Sequence, residues 1–147
     1  MPHHLAQVNI ATLRAPLDHP SIRGFADRLE EINALADGAP GFVWRLQTEA
    51  GDATALRPYE DERVLVNLTV WESVQALQQF VYRSDHVQLL RQRAQWFHRP
   101  TTAIYALWWI EAGTVPSVDD AKRRLERLQA VGDSPEAFSF ARVFPPT

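Results

Sequence analysis

The chain has 147 residues, 46% of them hydrophobic and 22% charged, with a net charge of −3 at pH 7, which is the size and balance of a single globular domain over 1–147. That acidic balance argues against a nucleic-acid partner, which demands a basic field. The absence of cysteine excludes disulfides, thiolate metal sites, iron–sulfur clusters and cysteine nucleophiles.

Taken in chain order, Leu5 to Leu13 is the first expected strand, with Leu5, Gln7, Asn9 and Ala11 on one face and Ala6, Val8 and Ile10 on the other. Asp18-His19-Pro20-Ser21 is a helix-entry signal. Ile22, Phe25, Leu29, Ile32 and Ala36 then recur at helical spacing, and Asp37-Gly38 stops the run. Phe42 to Gln47 is a second strand. The 16 residues from Thr48 to Arg63 form a Gly-, Ala-, Asp- and Glu-rich connection of a length typical of lids or disordered loops, with Arg57-Pro58-Tyr59 placed to fold over a cleft. Val64 to Trp71 is the third strand. Ser73 caps the next helix, and Ser84 restarts it after a break. Ile104 to Ile110 is the fourth strand. Ser117-Val118-Asp119-Asp120 resembles a capping box opening a helix along Ala121, Leu125 and Leu128 to Gly132. Phe138-Ser139-Phe140 is a short last strand. Lys122-Arg123-Arg124, interleaved with Glu126, reads as a solvated helix face.

The order β-α-β-β-α-β followed by α-β predicts an α+β, ferredoxin-like unit with a C-terminal extension. Strands three and four are apolar on both alternating faces, so the face without the two helices needs a cover. A second copy related by a two-fold axis supplies one, giving a homodimeric α+β barrel. The alternative cover is the extra C-terminal helix. No apolar run nears the roughly 20 residues that cross a bilayer, and MPHHLAQVNIA lacks the layout of a signal peptide. The expectation is a cytoplasmic protein without membrane contact.

The stretch from Leu68 to Phe97 carries the strongest site signal. His86, Leu89, Leu90, Arg93, Trp96 and Phe97 fall on one side of a helix, opposite Asp85, Gln88, Arg91, Gln92 and Gln95. Ionisable groups on an apolar stripe must be paired, hydrogen-bonded or set in a cavity. In one reading His86 is a general acid or base, Arg93 steadies an anion or enolate, and Trp96 is an aromatic wall. In the other, His86 bonds backbone near a helix start, Arg93 snorkels to a surface carboxylate and Trp96 is core. Asn9 and Asn67 interrupt strands where apolar residues are preferred; Gln7 and Asn9 on one face can present amides to a substrate carbonyl or to dioxygen, or equally hydrogen-bond across to a neighbouring side chain. Trp44, Tyr82, Trp108 and Trp109 are further aromatics with polar handles. Trp108 and Trp109 are adjacent in a strand and so face opposite ways. Glu72 beside Trp71 reads as a first-turn dipole residue. No GxGxxG, P-loop, GxSxG or HExxH is present, and His3-His4 lacks the spaced partners of a metal site. No cofactor and no metal are expected.

Three segments, VWESVQALQQFVYRSDHVQLLRQRAQWF, LWWIEAGTVPSVDDAKRRLERL and PEAFSFARVFPP, resemble the bacterial family known as domain of unknown function 3291. The resemblance runs from His4 to Pro146. It implies membership of the dimeric α+β barrel superfamily, which holds cofactor-free quinone-forming monooxygenases, haem-degrading oxygenases, muconolactone-type isomerases, polyketide cyclases and stress-response proteins. Against the haem-degrading branch, Asn9 matches a cleft asparagine and Trp71-Glu72-Ser73 a strand-to-helix corner. Phe80 stands where that branch has a distorting tryptophan, and Arg91 where it has the iron-ligating histidine. Arginine has no free lone pair for iron, leaving His86, in a different geometry, as the remaining conceivable ligand.

These observations point to a small-molecule enzyme, a cofactor-independent monooxygenase acting on an aromatic or polyketide-like phenolic substrate. His86, Arg93 and Asn9 would be its catalytic residues. Trp96, Phe97, Tyr82, Asn67, Trp44, Trp108 and Phe80 would bind the substrate. Two alternatives stand: a non-redox isomerase, cyclase or lyase using the same cleft, and a ligand-binding or stress-response module without catalysis.

Overall fold

In the computed structural model the residues described are 2–15, 19–22, 33–46, 64–82 and 104–146. Four strands, β1 (His3–Thr12), β2 (Phe42–Arg45), β3 (Val64–Trp71) and β4 (Tyr105–Glu111), form one antiparallel sheet in the order β2-β3-β1-β4. This is the ferredoxin-like order, with the first and third strands at the centre. The register of β1 runs from Leu5↔Trp71 to Thr12↔Val64 against β3, and from His3↔Glu111 to Asn9↔Tyr105 against β4. Alternation along β1 therefore fixes which side chains of three strands share a face.

The first face takes α1, described over residues 33–37, and α2 (Val74–Val81). Ser73 caps α2 by accepting the Ala76 N–H at 3.1 Å. Val74, Leu77 and Phe80 then turn inward at helical spacing onto Leu5, Trp71 and Leu107. The end of β2 lies almost on the α2 backbone. Gly41, at φ +80°, gives its carbonyl to Glu72 N–H at 2.8 Å, and a Cβ there would stand 2.4 Å from the Ala76 Cβ. Only glycine meets both demands.

The second face is covered by α3 (Val118–Val131). Ser117 Oγ accepts the Asp120 N–H at 3.0 Å, and Asp119 and Asp120 sit in the first turn, where the helix dipole favours them. The Asp120 carboxylate reaches forward to Arg123 and Arg124 rather than back to the cap. Ala121, Leu125 and Leu128 pack with Ala6, Val8, Ala106 and Trp108. The extra helix thus provides the internal cover that was the alternative to a second copy. Ile10, Trp44, Leu46, Val66 and Ile110 remain half-buried around it.

Several expectations are adjusted. The last strand contracts to a single bridge, Phe138↔Leu107, with N–H···O distances of 2.8 and 2.9 Å. Of the helix expected after Asp18, the entry is a 3₁₀ turn over Pro20–Ile22. Arg124 is not simply solvated: its guanidinium lies 5.9 Å from the Trp108 ring and donates to the Glu136 carbonyl. A register shift between Phe42 and Trp44 puts these residues on opposite faces although they are two apart. Phe42 meets Trp71 edge-on at 5.4 Å, whereas Trp44 joins the α3 side. A bulge reverses the parity that alternation alone implies.

Candidate functional site

On the α1/α2 face, polar residues of β1 and β3 pair off along the strands. Leu5 stands opposite Trp71, Gln7 opposite Thr69, and Asn9 opposite Asn67. Exposure rises along this series. Leu5 and Trp71 are sealed, Gln7 and Thr69 retain 7% and 6% of their surface, Asn9 is half-buried and Asn67 is exposed. The row is closed at the tryptophan and open at the asparagines.

The closed end is fully connected. Trp71 Nε1–H donates to Thr69 Oγ1 at 2.9 Å, and the Thr69 hydroxyl donates to Gln7 Oε1 at 2.8 Å. Among the described residues these are the two buried polar side chains, and each satisfies the other, as burial requires. The Trp71 ring is held in place by Phe42 on its edge and Phe80 at 5.2 Å. At the open end, neither Asn9 nor Asn67 commits its side-chain amide to another described residue. Two amides opposite each other in a sheet gain nothing from β propensity.

The C-terminal segment walls the β4 side. Tyr105, opposite Asn9, accepts the Phe140 N–H on its hydroxyl at 3.1 Å, with the two rings 5.7 Å apart. Trp109 Nε1–H donates to the Phe144 carbonyl at 2.7 Å. Asp133 Oδ1 fixes the turn into this segment by accepting from Ser139 N–H at 2.7 Å and Oγ–H at 2.8 Å. The row itself is neutral. It can donate and accept hydrogen bonds, but it holds no group that takes a proton near pH 7.

Of the residues expected to form the site, Asn9 and Asn67 are brought together, and Phe80 packs on Trp71 at the closed end of the row. Tyr82, at the C-cap of α2, is 70% exposed. Trp44 and Trp108 are placed on the α3 side of the sheet, away from the row, by the bulge in β2 and by the parity of β4 respectively. His86, Arg93, Trp96, Phe97, Arg91 and the Thr48–Arg63 connection lie outside the described residues. Thr69 and the Trp71 indole were not singled out from sequence. Their signal was parity: Asn67 and Thr69 fall on the face of Trp71 and Val66, Leu68 and Val70 on the other, so β3 is not apolar on both faces as its composition implied. Among the described residues no three His, Cys, Asp or Glu side chains cluster as metal ligands, and no helix is long and apolar enough to cross a membrane.

Comparison with known proteins adds a family and a fold. The family described as Domain of unknown function (DUF3291) matches residues 4–147. No curated protein matches the chain. Among solved structures, SnoaB, a cofactor-independent oxygenase from Streptomyces nogalater, is similar with a TM-score of 0.52 at 17% identity, covering 78% of this chain and 98% of its own. Rv0793 from Mycobacterium tuberculosis gives 0.52 at 14% identity, covering 78% and 99%. PA3566 from Pseudomonas aeruginosa gives 0.51 at 12% identity, covering 78% and 98%. At such identities the shared property is the fold.

Proposed function

Because the chain belongs to the DUF3291 family, whose description carries no reaction, we propose a function from the polar row: a small-molecule enzyme of the cofactor-independent oxygenase class. Its substrate would be an aromatic, phenolic molecule. The observation that carries this reading is the opposed pair Asn9 and Asn67 at the open end of a row whose closed end is dry and hydrogen-bonded. Neutral amide donors opposed across two strands would stabilise a phenolate or enolate without adding a charge that needs its own partner. An electron-rich phenolate can itself reduce dioxygen. A phenol with a free para C–H takes up one O2; one oxygen atom becomes the new quinone carbonyl, and the other leaves as water with the two hydrogens lost. The protein then need only favour the anion, orient it and exclude solvent. The SnoaB likeness supports the reading. The proton acceptor would be His86, with Arg93 as a further anion partner.

Half-buried Ile10, Trp44, Leu46, Val66 and Ile110 beside α3 support a second copy on that face, and the proposed active form is a homodimer. Sedimentation at micromolar concentration is expected to give about twice the chain mass of 16.7 kDa; a stable monomer would remove the barrel.

The functional test is oxygen uptake with electron-rich naphthols and anthrones as probes. One O2 consumed per quinone formed is expected, with loss of about tenfold to a hundredfold in kcat/KM for Asn9→Ala and Asn67→Ala, the range for removing one positioned donor. Turnover that persists anaerobically would point to the non-redox isomerase, cyclase or lyase alternative. Saturable binding without turnover would point to a ligand-binding module.

A further inference from the structure

The hydrogen-bond chain at the closed end has a direction, and that direction selects the ligand. An indole nitrogen can only donate, so Trp71 must give its proton to Thr69 Oγ1. The Thr69 hydroxyl then has one proton of its own, and Gln7 Oε1 receives it at 2.8 Å. The reverse amide orientation would aim two donors, from Trp71 and Gln7, at the same hydroxyl and leave its proton without an acceptor inside the fold. The acceptor half of the Gln7 amide is therefore consumed. Its NH2 half donates to no described residue. It is not sealed off either: among the described residues the buried polar atoms without a partner are His4 Nδ1 and Trp108 Nε1, both elsewhere.

We infer that Gln7, held by Thr69 and Trp71, is a specificity-determining donor that turns its NH2 group toward the bound molecule. The inner end of the row therefore accepts a carbonyl, oxyanion or other acceptor oxygen and rejects a group that can only donate, such as an ammonium. The residue is 93% buried, the complement of its 7% exposure, so little water reaches a donor-to-donor contact left unmatched there. Asn9 and Asn67, at the wetter end, can turn either way and impose no such demand. The inference rests on reading the row as the substrate groove. It adds the polarity of the group that enters first: an acceptor oxygen inward, with groups that must donate left at the asparagines.

The test uses two probes of similar shape, 1,4-naphthoquinone, which only accepts, and 1-methylnaphthalene, which does neither, titrated calorimetrically into the full chain. Gln7→Glu keeps an oxygen for the Thr69 hydroxyl but replaces the NH2 donor by a carboxylate oxygen. Gln7→Met keeps the length without either. Both variants are expected to bind the quinone about tenfold or more weakly and 1-methylnaphthalene as the wild type does; the pair covers the case in which one fails to fold. Thr69→Val, which frees the amide to rotate, is expected to lose part of the same preference. Equal loss for both probes, or none, would overturn the donor role while leaving the groove intact, provided Asn9→Ala still weakens quinone binding. Quinone binding indifferent to Asn9, Asn67 and Gln7 alike would remove the groove, and the inference with it.

Discussion

The two faces of the sheet present opposite solutions to burial. Beneath α3, β1, β3 and β4 contribute Ala6, Val8, Leu68, Ala106 and Trp108, and the helix answers with Ala121, Leu125 and Leu128. Beneath α2, the same strands contribute Gln7, Asn9, Asn67, Thr69 and Tyr105 between apolar ends. Among the described residues each face has one fully buried tryptophan, and the two are handled differently. Trp71 Nε1 is bonded to Thr69; Trp108 Nε1 has no partner. The Trp108 ring is instead held by packing and by the Arg124 guanidinium 5.9 Å from its centre. The Trp71 donor is matched at the closed end of the polar row, where Thr69 and Gln7 supply the partners. The comparison separates a face built for packing from one that carries a row of polar side chains.

That contrast sets the scale of several substitutions. The largest loss of stability is expected on the packing face: Leu125→Ala should cost about 2–5 kcal/mol by opening a cavity. Probe binding by the folded fraction should stay unchanged. Chemical denaturation followed by calorimetry checks both halves. Thr69→Val should cost about 1–3 kcal/mol because it strands the Trp71 N–H and the Gln7 carbonyl together, and here probe binding should fall with stability. If Thr69→Val leaves binding untouched, the two faces are less distinct than described. Trp108→Phe should cost less than its lost area implies, within about 1 kcal/mol of wild type, because removing an unpaired buried donor offsets part of the packing lost. A loss as large as that of Trp71→Phe would mean that Trp108 Nε1 is satisfied in solution.

The smallest effect lies at the surface behind α3. The Glu136 carboxyl is held below the usual carboxylate value, first by its backbone hydrogen bond, then by Ser134, with Arg127 and Arg124 adding to it. A depressed folded-state pKa contributes stability above the unfolded value that is lost as pH falls through the folded one. For a group this exposed the pair is screened. Glu136→Gln should therefore leave neutral-pH stability within error and flatten the acid limb slightly, which acid titration followed by circular dichroism resolves.

Much of this architecture was legible in the sequence because its signals are local. Val64 to Trp71 alternates without interruption and is β3; Ser73 and Ser117 cap the helices that their positions implied. Asn9 and Asn67 stood out as amides in strands, and the register brings them opposite each other. Other features depend on partners distant in sequence. That Gln7 and Thr69 share a hydrogen bond across 62 positions depends on the pairing of β1 with β3, which residue patterns do not specify. The β2 bulge that sends Trp44 to the α3 side left no turn residue to mark it. The cover on the second face illustrates the same limit: two apolar strand faces require something over them, but do not say whether it comes from the same chain.

The central claim, that the amide row binds the ligand, is tested most directly by the side-chain NH2 signals of Gln7, Asn9 and Asn67 in ¹⁵N-labelled protein titrated with 1,4-naphthoquinone. All three are expected to shift along one saturation curve, with the Trp71 indole N–H moving in step and the Trp108 indole N–H staying still. Stationary amides, with shifts confined to Trp108 or other residues of the α3 face, would contradict the account.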